Sequence, residues 1–158
     1  MFTGIITHIG EVRKKLKDSL IIKTDYNLIS KLSGGTSIAV NGICLTVVDK
    51  SESTFSVDFM PETETKTNIK YLKVGGLVNL ELPARYGSFL SGHIVLGHID
   101  TIGKLDSIKK QDNSYILKIL ISKDLSKYIV NKGSITINGV SLTVIGVKKD
   151  FFTVGIIP

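Results

Sequence analysis

Two short stretches carry small polar residues at matching places. Residues 37–48 read SIAVNGICLTVV and residues 134–145 read SITINGVSLTVI. The candidates for chemistry are Cys44 and Thr46 in the first stretch and Ser141 and Thr143 in the second. A thiol or hydroxyl can act as a nucleophile, a proton carrier or a hydrogen-bond partner for a ligand. His98 joins them because it stands between glycine-flanked stretches, Leu96-Gly97-His98-Ile99, and has Ile5 as its counterpart in the first half. An imidazole present in one half only is a place to look for acid–base chemistry. Taken singly, Cys44 reads as a small half-buried hydrophobe, the threonines as ordinary strand residues and His98 as a structural histidine. The recurrence of one small-polar pattern in two places shifts the reading toward a site.

The repeat is long. Without a gap, Ser37, Ile38, Asn41, Gly42, Leu45, Thr46 and Val47 match Ser134, Ile135, Asn138, Gly139, Leu142, Thr143 and Val144. Phe55 then meets Phe152, Val57 meets Val154 and Pro61 meets Pro158. A repeat of this length implies two copies of one domain, each with an equivalent surface site. Asn41-Gly42 and Asn138-Gly139 predict type I′ hairpin turns, since both residue types tolerate positive φ. Alternation along the outgoing strand puts Ile43, Leu45 and Val47 on one face and Cys44, Thr46 and Val48 on the other. The second copy repeats this with Val140, Leu142 and Val144 against Ser141, Thr143 and Ile145. Helical signals are short: Asp25 to Leu32, its counterpart Lys123 to Val130, and a start at Pro61 with acids in the first turn. The remainder reads as short strands with Gly-rich turns, which predicts an all-β fold of closed antiparallel barrels.

The segments Gly4 to Gly10 and Gly97 to Gly103 also align, so the first copy spans 1–87 and the second 94–158. The joint between them is short and holds Tyr86 and Phe89. After Pro61 the first copy continues into a helix and a strand, Gly76 to Leu82. By that logic the second copy is expected to lack its last helical turn and last strand, because the chain stops at Pro158.

Composition narrows the function classes. The chain has 158 residues, one cysteine and a net charge of +6. Each unit is small enough that its core is marginal and gains from a packing partner. A lone cysteine allows no intrachain disulfide and fits the cytoplasm. The N-terminus lacks a basic region before a long apolar run, so no secretory signal is expected, and no apolar stretch reaches membrane-spanning length. The positive charge comes almost wholly from scattered lysines, with Arg13 and Arg85 the only arginines. The basic run Arg13 to Lys17 carries no aromatic residue, so it reads as a solvated strand end rather than a nucleic-acid surface. His8, His93 and His98 are not spaced as zinc ligands with a cysteine partner. No phosphate-binding loop, dinucleotide fingerprint or serine elbow is present.

The start Met1-Phe2-Thr3-Gly4-Ile5, the segment Asn41 to Val47, the run Ser91-Gly92-His93 with Gly97-His98-Ile99, and the segment Asn138 to Val144 together resemble the riboflavin synthase family. These are the trimeric two-barrel enzymes often called the alpha subunit, within the wider group of lumazine-binding proteins. The resemblance covers the whole chain, and the four motifs in order are specific where any one is weak. It implies two six-stranded Greek-key barrels and a C-terminal helix that builds a homotrimer. It implies a dismutation of two molecules of 6,7-dimethyl-8-ribityllumazine. One molecule gives a four-carbon unit to the other, yielding riboflavin and 5-amino-6-ribitylamino-pyrimidinedione, with no cofactor. The N-terminal barrel of one subunit then faces the C-terminal barrel of a neighbour, with one substrate on each.

Carried over by position, the resemblance implies a first site of Gly4, Ile5, Ile6, Ser37, Ala39, Cys44, Leu45, Thr46, Asp58, Phe59, Met60, Pro61, Glu62 and Thr63. It implies a second site of Gly97, His98, Ile99, Lys132, Ser141, Leu142, Thr143, Gly155, Ile156, Ile157 and Pro158. Phe2 would pack close to the ring at the barrel contact. His98 and Thr143 would move protons or orient water. Ser141 and Cys44 would contact the ring or a nucleophile added to it, and Lys132 would anchor the substrate. Asn138 departs from the aspartate that members can carry. A non-catalytic lumazine or flavin carrier shares the two-barrel pattern, and an inactive fragment is a third reading. Carriers tend to have one degraded half, whereas both halves here keep the Asn-Gly, small-polar, Leu-Thr-Val pattern. Two ligands bound per chain in a fluorescence titration is the outcome expected of the enzyme, and one ligand per chain that of a carrier.

Overall fold

A computed structural model of the chain describes residues 1–157, so Pro158, expected in the second site, lies outside the described residues. The first unit is built from β1 (His8–Lys15), β2 (Ser19–Lys23), β3 (Ser37–Val40), β4 (Ile43–Lys50), β5 (Thr54–Asp58) and β6 (Leu77–Glu81). These strands close into an antiparallel barrel in the order β1-β2-β5-β4-β3-β6. The closing seam pairs β6 back onto β1, with His8 opposite Leu80. The second unit holds β7 (Lys104–Gln111), β8 (Ser114–Leu120), β9 (Ser134–Ile137), β10 (Val140–Val147) and β11 (Phe151–Ile156). Their order, β7-β8-β11-β10-β9, copies the first barrel strand for strand. The place that β6 fills in the first barrel has no strand in the second among the described residues.

The local chemistry follows the sequence closely. Asn41 and Gly42 have φ of 49° and 81°, and Asn138 and Gly139 have φ of 48° and 84°, the two positive values a type I′ turn needs. Along β4 the buried face is Ile43, Leu45 and Val47, and in β10 Val144 is sealed at 1 % exposure. The bulges repeat too: β4 shifts register between Val47 and Asp49, and β10 between Val144 and Gly146. The first pairs of each unit also shift at matching places, Val12/Lys14 and Leu105/Ser107. Bulges at equivalent positions bend both sheets alike and give both units one curvature.

Helices are brief, as expected. Helix α1 (Tyr26–Ile29) is capped by the Asp25 carboxylate, which accepts from Leu28 N–H at 3.0 Å. That bond, helped by His8, holds the Asp25 carboxyl below its usual range. Helix α2 (Pro61–Lys66) begins with proline at its first turn. The expected counterpart of α1 over Lys123 to Val130 is only a 3-10 turn at Ser126–Tyr128, where no side chain caps the start.

The two cores differ in how well they are sealed. The closed barrel buries Leu20, Ile22, Ile38, Val40, Phe55, Val57 and Leu80 at 1 % exposure or less. In the open sheet the buried set shrinks to Ile119, Val144, Phe152 and Val154, with Leu117, Ile135, Ile137 and Leu142 only partly covered. Strand β7 is exposed throughout and carries Lys104, Lys109 and Lys110, a charged edge that resists adventitious pairing. Phe55→Ala should cost about 3–5 kcal/mol. Phe152→Ala should cost less, because its cluster is already partly wet. Urea unfolding of the two variants measures both, and equal losses would show that the second core is as tightly sealed as the first.

Candidate functional site

The two units meet around a pseudo-twofold axis, and equivalent residues meet each other on it. Phe2 N–H donates to Val95 O at 2.7 Å, and Val95 N–H returns the bond to Phe2 O at 3.0 Å. The hairpin tips also abut: a Cβ on Gly42 would lie 2.7 Å from Gly139 N, and one on Gly139 would lie 2.9 Å from Gly42 N. Asn138 ties the second tip to the first unit. Its Oδ1 accepts from Asn68 Nδ2 at 2.9 Å and its backbone O accepts from Asn79 Nδ2 at 2.9 Å. A neutral amide at position 138 therefore serves as an inter-barrel tether.

On each side of the axis, one unit lays its leading segment on the other. Ser141 N–H in β10 donates to Gly4 O at 2.7 Å, and Cys44 N–H in β4 donates to Gly97 O at 2.9 Å. Both glycines have positive φ, 76° and 85°, and both are pressed flat against the partner strand. An added Cβ would sit 2.7 Å from Ser141 Cβ at position 4 and 2.6 Å from Cys44 Cβ at position 97. No residue with a side chain fits either place without displacing a strand.

This exchange corrects the grouping carried over from the family. Gly4, Ile5 and Ile6 were expected with Cys44, but their segment docks on the second unit beside Ser141, and Ile6 approaches Gly139. Gly97, His98 and Ile99 were expected with Ser141, but they dock on the first barrel, where Ile99 packs on the core. The physical reason is the pseudo-twofold pairing of Phe2 with Val95, which turns each leading strand outward onto the opposite barrel. No hydrogen bond joins His98 to Thr143: the first belongs to the Cys44 side and the second to the Ser141 side.

The first polar face is a cross-strand ladder. Ala39 stands opposite Cys44, Ser37 opposite Thr46, and Thr46 opposite Asp58. Leu45 points into the core at 6 % exposure and Phe59 is buried at 7 %, so only their backbones can border a ligand. Met60, Pro61 and Glu62 are exposed at the start of α2, with Thr63 half-buried. Phe2, expected against the ring, is 1 % exposed and packs with Ala39, Val95 and Cys44 as a floor beneath this face. On the second unit Ser141 stands opposite Thr136, and Thr143 opposite Ser134. Leu142 joins the second core. Lys132 has φ of 64° where the first copy has Gly35 at 86°, and both donate a backbone N–H to the matching strand, Val144 O and Val47 O. Gly155 and the exposed Ile156 end β11, and Ile157, also exposed, follows it. Thr46, Thr143 and His98 are exposed, so neither polar face is enclosed within a single chain.

Two contributing residues escaped the sequence reading. Glu81, at the end of β6, is 4 % exposed and holds the N-terminal crossover. Its Oε1 accepts from Thr3 N–H and Thr3 Oγ1–H, each at 2.6 Å, and its Oε2 accepts from Gly4 N–H at 3.1 Å. Three donors compensate one buried carboxylate. A cleft of about 310 Å³ lies beside this clamp, bordered by Ile5, His8, Lys31 and Arg85. The other residue is His93, which touches the Ser141–Thr136 pair. Among the described residues, no three His, Cys, Asp or Glu side chains gather as metal ligands, and no helix is long and apolar enough to cross a membrane.

Fold and site together define a tandem-barrel protein with two copies of one polar face. Comparison with known proteins agrees: the lumazine binding domain model matches residues 3–83 and again 96–158. Riboflavin synthase of Mycobacterium tuberculosis strain H37Rv is 41% identical over 165 residues, covering 100% of this chain and 82% of that protein. The Bacillus subtilis strain 168 riboflavin synthase is 40% identical over 162 residues, with 100% and 75% covered. Among solved structures, LumP complexed with riboflavin superposes with a TM-score of 0.86 at 30% identity, covering 98% of this chain and 86% of that one. LumP complexed with 6,7-dimethyl-8-(1'-D-ribityl) lumazine gives 0.85 at 27% identity, with 99% and 86% covered. The chain belongs to the riboflavin synthase family of lumazine-binding-domain proteins.

Removing the clamp tests the geometry. Glu81→Ala strands the Thr3 and Gly4 amides and should cost about 3 kcal/mol, since each unsatisfied buried donor costs roughly 1–3 kcal/mol. Glu81→Gln should lose less, because its carbonyl still accepts. Thermal unfolding gives the stability. Amide exchange at Ser141 should accelerate in Glu81→Ala and stay slow in Glu81→Gln.

Proposed function

We propose that this chain is a riboflavin synthase. It binds two molecules of 6,7-dimethyl-8-ribityllumazine and moves a four-carbon unit from one to the other. The products are riboflavin and 5-amino-6-ribitylamino-pyrimidinedione, formed without a cofactor. The observation that carries this reading is the pair of equivalent polar faces, Cys44 beside Gly97 and Ser141 beside Gly4, built by one repeat. A reaction between two like molecules needs two like sites in near-attack register.

The chemistry asks little covalent help from the protein. The 7-methyl group of the substrate is acidic because its carbanion delocalises into the pteridine. The protein must hold two rings, exclude water and move protons. Each polar face is exposed in one chain, so water exclusion requires a covering surface. A homotrimer supplies it when the first barrel of one copy faces the second barrel of another. Such facing also reunites His98, on the Cys44 side of one copy, with Thr143, on the Ser141 side of its neighbour. In that pairing the two move protons or orient water, Cys44 and Ser141 contact the rings, and exposed Lys132 anchors one substrate. Units 1–87 and 94–158 are the two binding domains. The cytoplasm is the compartment that suits a lone reduced thiol.

A carrier that binds without turnover is the second reading, favoured by the likeness to LumP holding riboflavin or the ribityl lumazine. The assay that separates them follows riboflavin appearance by absorbance and fluorescence after adding the lumazine to this chain. Riboflavin formation is expected for the enzyme; stable binding with no product would assign a carrier. General acid–base groups contribute on the order of 10²–10⁴ in rate, so His98→Ala should lower kcat by at least about tenfold. Full turnover by a folded His98→Ala variant would remove His98 from the mechanism.

A further inference from the structure

His93 bridges two hydroxyls on the second polar face. Its Nδ1 lies 2.7 Å from Ser141 Oγ and its Nε2 lies 3.0 Å from Thr136 Oγ1. Those hydroxyls belong to directly paired residues on β10 and β9. The ring is delivered there by a tight backbone approach: His93 N–H donates to Thr3 O at 3.0 Å. A Cβ on the preceding Gly92 would collide with the Thr3 carbonyl. The imidazole is half-buried, so both of its bonds are partly shielded from water.

The first face has nothing comparable. Thr136 is replaced by Ala39 and Ser141 by Cys44. That position is an apolar nest with Phe2 and Val95. The duplication therefore carries one face with a fixed hydroxyl and one with an unbraced thiol.

Resting on the functional reading above, we propose that His93 is a positioning residue for Ser141, and that the Thr136–His93–Ser141 chain fixes a hydroxyl on the second face at the place where the first presents the unbraced Cys44 thiol. A neutral imidazole has one N–H donor and one bare acceptor nitrogen. With Thr136 engaging one nitrogen, the other fixes the rotor of the Ser141 hydroxyl. Its remaining hydrogen-bonding capacity then points at the bound ring. Cys44, a weak donor with no such brace, meets its ring chiefly by packing. The two lumazines are thus held differently by faces that share one backbone, which lets one molecule act as donor and the other as acceptor of the four-carbon unit.

The test uses the whole chain and a fluorescence titration with 6,7-dimethyl-8-ribityllumazine, alongside riboflavin formation. His93→Leu should weaken one of the two sites by about tenfold, a factor that corresponds to 1.4 kcal/mol, and leave the other unchanged. His93→Asn can still place an amide near the Nδ1 position and should recover most of that loss. Ser141→Ala should lose as much as His93→Leu, and the double variant no more than either, because the two act through one bond. A purely structural role would instead lower the melting temperature, weaken both sites and give no rescue by asparagine. Two unchanged affinities in His93→Leu, or additive losses in the double variant, would overturn the positioning role while leaving the enzyme reading intact. A wild-type chain that binds no lumazine would overturn the functional reading itself, and this inference with it.

Discussion

Everything in this molecule hangs on the reciprocal exchange of its two leading segments. Gly4 lends its carbonyl to Ser141 and Gly97 lends its carbonyl to Cys44, about a twofold axis marked by Phe2 against Val95. Two backbone bonds alone are modest, about 1 kcal/mol each. Their weight comes from position. They join each barrel to the other at the strand that carries its polar face. The glycines have no Cβ, and Glu81 holds the approach of the first segment from inside the barrel seam. The same contacts that dock the units also position the two polar faces, so domain packing and the geometry of those faces cannot be changed independently.

The duplication is close in backbone and loose in side chain. Bulges, hairpin turns and strand order are copied, because they determine curvature and register for both barrels. The faces then diverge. Cys44 rests on Phe2, Ala39 and Val95, whereas Ser141 is braced by His93 and Thr136. Lys132 takes a left-handed backbone position that Gly35 fills more easily in the first copy, a strain of order 1–3 kcal/mol borne beside the second site. A dismutation needs this combination. Like substrates require like cradles, and unlike roles require unlike surroundings.

A single chain leaves both faces open to water. Thr46, Thr143 and His98 are exposed, and so are Ile94, Leu96 and Phe89 around the joint. Carbanion chemistry in water would leak protons, so a facing copy is part of the functional reading rather than an addition to it. The second sheet, with unpaired edges at β7 and β9 among the described residues, has a less sealed core than the closed barrel. Its polar face is still held in place, because β9 and β10 pair through the Asn138-Gly139 turn and dock directly on the first unit.

The sequence by itself determined the duplication, the paired I′ hairpins and which residues of β4 and β10 face in or out. These are local matters: Asn-Gly tolerates positive φ, and side chains alternate with period two. It also pointed to Cys44, Thr46, Ser141 and Thr143 as the polar faces. The short helical signal over Lys123 to Val130 is realised as one 3-10 turn rather than an α-helical one, since no side chain there does what Asp25 does for α1. Only the tertiary structure decided which leading segment serves which barrel. Aligned motifs reveal equivalence, but nothing in them says whether equivalent pieces stay home or cross over. That choice rests on contacts between residues some ninety positions apart, such as Phe2 with Val95. Glu81 and His93 were hidden for the same reason. Their partners, Thr3 and Gly4 for one and Thr136 and Ser141 for the other, are assembled only when the barrels dock, although His93 lies in one of the motifs that carry the family resemblance.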